Sequence, residues 1–231
     1  LYDSRFEHDS CGVGFVCDVK GRKSHDIVKK AIQALVHLLH RGATGADPKT
    51  GDGAGLLIQV PDEFLRKECE KEKIELPERG SYAVGMVFLP QDEKERRFCE
   101  EVFLKIISKE GLKFLGWRNV PVDSSVIGKQ AQLTRPVIRH IFIAKPHEIK
   151  DEDSFELKLY VTRKQIENII RASKIKQKSF FYITNLSCRT LSYKGLLLSS
   201  QLEDFFPDLK DKDLKSCFCL IHARYSTYTF P

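Results

Sequence analysis

No run of apolar residues in this chain approaches the ~18 needed to cross a bilayer as a helix, and charged residues interrupt its hydrophobic stretches throughout. A membrane-spanning helix is therefore excluded, and neither a secretory signal nor a lipidation motif is found. Methionine is nearly missing: the single one is Met86, while the chain opens on Leu1, so the reading is of a piece of a longer translation product. The seven cysteines are odd in number and lack framework spacing, which excludes a small disulfide scaffold and points to a reducing compartment, cytoplasmic or plastid. Repeats, low-complexity tracts and a clear linker are absent too. At 231 residues, one domain of sheets covered by helices is the economical picture.

Chemistry is narrowed by what is missing as well. The Gly-x-Ser-x-Gly elbow of many serine hydrolases does not occur. His37 and His40, or Cys217 and Cys219, have no companion pair at zinc-finger spacing, so no metal site is expected. The glycine-rich stretch from Gly42 to Gly55 follows a helix and leads into a strand. A dinucleotide-binding turn does the opposite, so this stretch reads as an ordered loop beside a cleft. A net charge of +6 arises from 38 basic and 32 acidic residues mixed along the chain, which gives no nucleic-acid stripe. The cluster Lys174-Ile175-Lys176-Gln177-Lys178 reads as a solvated helix end.

What is present alternates strand and helix. Strands are predicted from Cys11 to Val19, Leu56 to Val60, Tyr82 to Leu89, Phe114 to Arg118, Val137 to Ala144, and Cys217 to Arg224. Two more, Phe180 to Leu186 and Arg189 to Tyr193, read as a mutually paired hairpin. Helical spacing marks Ile27, Ala31, Ala34, Leu35, Leu38 and Leu39 behind a cap at Asp26. Asp62 caps a charged helix to Lys73. A third helix runs from Asp92 to Glu110, and a long one carries Phe155, Leu159, Thr162, Ile166 and Ile169 inward.

Two places carry chemistry. Cys11 heads the first strand with glycines at the first and third following positions, where backbone and ligand can approach closely. A thiolate is the reactive form. Cleavage before Cys11 would free an α-amine of pKa about 7.7–8.0 beside the sulfur, giving nucleophile and base in one residue. The same pattern also describes a small hydrophobe opening a buried strand. Arg224, at the end of the last strand and before Ser226 and Thr227, can hold a carboxylate by two parallel hydrogen bonds or form a structural ion pair.

Together with His40-Arg41-Gly42, the stretches Cys11-Gly12-Val13-Gly14-Phe15 and His222-Ala223-Arg224-Tyr225-Ser226-Thr227 make the chain resemble the class II glutamine amidotransferase domain. More narrowly it resembles the amino-terminal glutaminase domain of glutamate synthases. That likeness runs through Glu7-His8-Asp9-Ser10, Thr50-Gly51-Asp52-Gly53-Ala54-Gly55, Gly85-Met86-Val87-Phe88-Leu89-Pro90, Leu115-Gly116-Trp117-Arg118 and Thr229-Phe230-Pro231.

The resemblance implies an α+β fold, a four-layer αββα sandwich of the N-terminal-nucleophile hydrolase type, truncated at its C-terminal end. It implies a leader, residues 1–10, removed to expose Cys11, and a catalytic domain from 11 to 231. In that family the cysteine attacks the side-chain amide of L-glutamine, and ammonia and glutamate are released. Arg224 then grips the substrate carboxylate, Thr227 is its hydroxyl neighbour, and Arg41 and Gly42 line the surroundings of the nucleophile.

The cofactors implied, FMN and an iron–sulfur cluster, belong to the rest of such an enzyme. The partners implied are the remaining synthase domains and a small NAD(P)H-oxidising subunit. Tyr228 stands where the family often has asparagine, and the family's oxyanion-hole and amine-binding residues would follow Pro231, so this piece alone is expected to turn over poorly. From the residues alone, a non-catalytic amino-acid-binding module of the same fold stays open.

Overall fold

The computed structural model describes residues 12–42, 44 and 47–223, the side chain of Arg41 excepted. Among the described residues, eight strands form two four-stranded antiparallel sheets. The first sheet contains β1 (Gly12–Cys17), β2 (Ala54–Gln59), β7 (Thr190–Gly195) and β8 (Phe218–Ala223), in the order β1-β8-β2-β7. The second contains β3 (Tyr82–Leu89), β4 (Lys113–Asn119), β5 (Val137–Ala144) and β6 (Tyr182–Ser187), in the order β4-β5-β3-β6. The fold is α+β, as expected.

The helices are α1 (His25–His37), α2 (Asp62–Lys71), α3 (Glu93–Lys109), α4 (Lys129–Thr134), α5 (Glu152–Ala172) and α6 (Leu202–Phe205). None of the described helices is long and apolar enough to cross a membrane. Asp92 and Asp151 cap α3 and α5 by accepting hydrogen bonds from the Glu95 and Ser154 amides at 2.9 and 2.7 Å, which satisfies donors that a helix start leaves open.

At α1 the cap is Ser24 rather than Asp26. Its backbone is extended and its hydroxyl accepts from the Ile27 amide at 3.4 Å, while Asp26 pairs with Lys30 one turn on. Asp62 likewise opens α2 without capping it, because its carboxylate is taken up by Arg66 and by the Tyr82 hydroxyl. Helix α1 ends at His37. A tight turn over Leu39–Arg41 follows and leaves Leu39 exposed rather than inward.

Two apolar cores follow from the two-residue period of the strands. Ala83, Val87 and Leu89 of β3, with Ile141 and Ile143 of β5, pack against Phe103, Ile106 and Ile107 of α3 and Phe155, Leu159, Ile166 and Ile170 of α5. In α5 the inward position is Ile170, and Ile169 is exposed. The alternate residues Tyr82, Val84 and Met86 join Leu56, Ile58, Tyr193, Cys219 and Ile221 of the first sheet and the buried face of α1 in the other core.

The reading of β6 and β7 as a paired hairpin is overturned. The turn between Ser187 and Thr190 carries the chain from one sheet to the other, and β6 pairs with β3 while β7 pairs with β2. The side chain of Asn185 compensates locally. It donates to the Thr190 carbonyl at 2.8 Å and accepts from the Ser192 amide at 3.1 Å.

Between the sheets lies a buried polar cluster. Arg118 of β4 is 3% exposed and donates two hydrogen bonds to Asp208, at 2.8 and 2.9 Å, and one to Glu68 of α2 at 3.0 Å. The Tyr193 hydroxyl donates to the same Asp208 carboxylate at 2.9 Å. His140 stands beside Arg118, fully buried. Burial first, and the guanidinium second, hold its pKa well below the ordinary histidine range. The unfolded chain therefore binds a proton on His140 below about pH 6.5 that the folded protein refuses, so stability is retained above that pH and lost as pH falls. The slope reaches about 1.4 kcal/mol per pH unit for this one group. Denaturant melts at pH 7.5 and 5.5 should show this loss, and His140→Gln should flatten it.

Candidate active site

One end of the first sheet gathers the segments singled out in the sequence. Gly12 pairs with Ala223, Ala223 with Ala54, and Ala54 with Gly195, so a single row of small residues crosses all four strands. Gly12 is bonded to Cys11 and Ala223 to Arg224. Cys11, Arg224 and Thr227 themselves lie outside the described residues, as do the leader, Tyr228 and the side chain of Arg41.

The glycine-rich loop reaches the same end because it runs directly into β2. Asp47 holds it, accepting from the Lys49 amide at 2.9 Å and the Thr50 hydroxyl at 3.2 Å. Gln201 donates to the Lys49 and Val126 carbonyls at 2.9 and 2.8 Å. At Gly51 a β-carbon would stand 2.5 Å from the backbone of Leu197 and Leu198, so only glycine allows this approach. Gly42 backs onto the loop, with the position its β-carbon would take 3.5 Å from Asp52 Oδ1. The segment carrying Arg41 and Gly42 is thus brought to the loop that leads into the row. The described part of the loop follows the turn Leu39–Arg41 and runs into β2.

The next row inward is Val13, His222, Gly55 and Lys194. Gly55 has no side chain to separate His222 from Lys194, and a β-carbon there would meet the Lys194 β-carbon at 2.5 Å. Lys194 donates to the Tyr182 hydroxyl at 2.9 Å. Partial burial, then the Lys194 charge, lower the His222 pKa. His222 is therefore neutral at pH 7. This face of the sheet is open: Val13 and Phe15 are 62% and 61% exposed, and Leu220 is exposed as well.

The described cysteines separate into two groups. Cys69, Cys99, Cys188 and Cys219 are buried, and burial pushes each thiol up to about 12, with Glu156 adding to the effect at Cys188. Such thiols stay protonated and inert. Cys17 and Cys217 sit at the other end of β1 and β8, since Cys17 pairs with Phe218. Neither Cys217 nor Cys219 is brought into a metal-ligating group among the described residues.

Sequence reasoning named His222 within its motif but missed Lys194 as its neighbour across Gly55. The signal available was Gly55, a glycine inside a strand, which marks a close approach between neighbours.

A family model for class II glutamine amidotransferases matches residues 11–231. The chain is 48% identical over 231 residues to the glutamate synthase [NADPH] large chain of Bacillus subtilis, a match covering 100% of this chain and 15% of that protein. It is 39% identical over 240 residues to the glutamate synthase [NADH] of Saccharomyces cerevisiae, covering 100% of this chain and 11% of the relative. It is 39% identical over 233 residues to the chloroplastic ferredoxin-dependent glutamate synthase 2 of Arabidopsis thaliana, covering 100% and 14%. The chain thus spans about 15% or less of the length of these relatives. With the family match running from residue 11 to residue 231, the chain belongs to the class II glutamine amidotransferases.

Proposed function

We propose that this chain is the glutamine-hydrolysing part of a longer glutamate synthase polypeptide, with Cys11 as nucleophile after loss of residues 1–10. The observation that carries the reading is the Gly12–Ala223 pair. Two peptide steps of 3.8 Å and one cross-strand spacing of about 5.5 Å put an upper bound of about 13 Å on the separation of the Cys11 and Arg224 α-carbons. A thiol, a glutamine and a guanidinium on its flexible arm fill that span. Val13 and Phe15 of β1 and His222 and Leu220 of β8 share one face of the sheet. The start of the family match at residue 11 supports the boundary between leader and domain.

The reaction follows from those groups. The Cys11 thiolate attacks the amide carbon of glutamine, the amine freed at Cys11 passes a proton to the leaving nitrogen, and ammonia departs to leave a thioester. Water then attacks the thioester, the thiol is released, and glutamate forms. Arg224, with Thr227 beside it, fixes the α-carboxylate by a forked pair of hydrogen bonds. Arg41 and Gly42 line the nucleophile's surroundings. The ammonia supplies reductive formation of glutamate from 2-oxoglutarate in the remainder of the enzyme, in cytoplasm or plastid, with electrons delivered there by a partner subunit or donor.

FMN and an iron–sulfur cluster are assigned to the remainder of the synthase. The open face of the first sheet supports a four-layer arrangement in the whole domain, since a sheet with one wet face carries polar residues there.

Arg224→Met in the full-length enzyme tests the carboxylate assignment. Loss of a bidentate charged contact costs about 2–5 kcal/mol, so KM for glutamine should rise by about 30-fold or more while ammonia-dependent glutamate formation is unchanged. An unaltered KM would remove Arg224 from the site.

A further inference from the structure

The glycine-rich loop is fastened by one buried side chain. Gln201 ends the tight turn Ser199–Gln201, between β7 and α6, and is 8% exposed. Its carbonyl oxygen accepts from the Leu198 amide at 2.8 Å, and its amide nitrogen donates to the Lys49 and Val126 carbonyls at 2.9 and 2.8 Å. A carboxamide has one acceptor oxygen and two N–H donors. Here oxygen and both donors are engaged, each on the backbone of a different segment.

Lys49 is where that grip bears on the site. Two residues on, Gly51 lies against the Leu197–Leu198 backbone, where a β-carbon would stand at 2.5 Å. Gly51 also forms an antiparallel bridge with Thr44, in the segment that follows Arg41 and Gly42. Beyond Gly53 the chain enters β2 at Ala54, which pairs with Ala223, and Ala223 is followed by Arg224. The segment after Arg41 and the strand that leads to Arg224 thus both adjoin a stretch of backbone seated by the Gln201 carboxamide.

We infer that Gln201 is a positioning residue for glutamine binding: it seats the loop from Asp47 to Gly53 and, through Ala54, the strand that leads to Arg224. It acts through the loop, and the inference rests on the assignment of Arg224 to the substrate carboxylate and of Cys11 to the nucleophile. Cys11 precedes β1, which β8 separates from β2 in the sheet, so loss of the clamp reaches substrate binding more than the nucleophile. Glutamate at this position is the harshest change of equal size, because its oxygens would face the Lys49 and Val126 carbonyls with no hydrogen to share.

Steady-state kinetics of the full-length enzyme carrying Gln201→Glu decide it, with Gln201→Met as a second variant that keeps the length and drops the polar atoms. KM for glutamine should rise about tenfold or more, the scale of a small misplacement at a binding site. Turnover at saturating glutamine should stay within a few-fold, the split expected when binding rather than the chemical step is lost. In the same proteins Cys11 should react with iodoacetamide at its unaltered rate, while labelling by a subsaturating glutamine-mimicking diazoketone slows about tenfold. An unaltered KM in Gln201→Met, a fall in kcat alone, or an equal fall in both labelling rates would overturn the inference. No labelling of Cys11 in the unaltered enzyme would instead refute the nucleophile assignment, and this inference with it.

Discussion

Cys11→Ala in the full-length enzyme is expected to lower glutamine-dependent ammonia release by at least about 10⁴-fold, the scale seen when a nucleophile is removed from a covalent mechanism. Ammonia-dependent glutamate synthesis should survive, because it does not pass through the thioester. Cys17→Ala, Cys188→Ala and Cys219→Ala should each leave the hydrolysis rate within a few-fold. The buried thiols are pushed up to about 12, and Cys17 stands at the far end of β1 from Gly12. A steady-state assay of ammonia from glutamine checks all four variants, and a residual rate near that of the unaltered enzyme in Cys11→Ala would refute the mechanism.

Arg118→Met should have the largest effect on stability. Asp208, itself 4% exposed, receives two hydrogen bonds from Arg118 and one from Tyr193. Removing the guanidinium leaves a carboxylate buried without its counter-charge, which costs about 3–5 kcal/mol. Tyr193→Phe removes one hydrogen bond to the same carboxylate and should cost about 1–3 kcal/mol. The cluster ties β4 and β5 of the second sheet to β7 of the first. Native-state hydrogen exchange should therefore show faster exchange in all three strands of the Arg118→Met protein. Loss confined to β4 would mean that the cluster does not couple the sheets. Replacing Arg118 and Asp208 together by apolar residues should recover much of the loss, since burying an ion pair is expensive in the first place.

Much of the fold is legible in the sequence where the period is local. The inward positions of α3 and α5 follow from apolar residues at helical spacing, with the single shift from Ile169 to Ile170. The strands β3 and β5 are bounded as their apolar runs indicate. What fails is whatever depends on distant partners. Arg118 meets Asp208 90 positions away and Glu68 50 positions away, so nothing near Arg118 announces a buried network. The short turn between β6 and β7 has the length of a hairpin, yet the Asn185 side chain takes the place of ladder bonds and lets the two strands join different sheets. At α1, Ser24 and Asp26 are both good capping residues, and the extended backbone of Ser24 settles the choice.

The site is legible in a different way. Cys11, Arg41 and Arg224 carry it as motifs, while the pairing of β1 with β8 and of β8 with β2 depends on residues far apart in the chain. Chain order cannot provide that. The row Gly12, Ala223, Ala54, Gly195 shows it among the described residues.

The most direct test is to treat the active full-length enzyme with a glutamine-mimicking diazoketone and read both the adduct and the native amino terminus by mass spectrometry. The account predicts a polypeptide that begins at Cys11 and carries the label on that sulfur, with excess glutamine protecting it. A fully active enzyme that retains the Ser10–Cys11 bond, or that is labelled at any other cysteine, would contradict it.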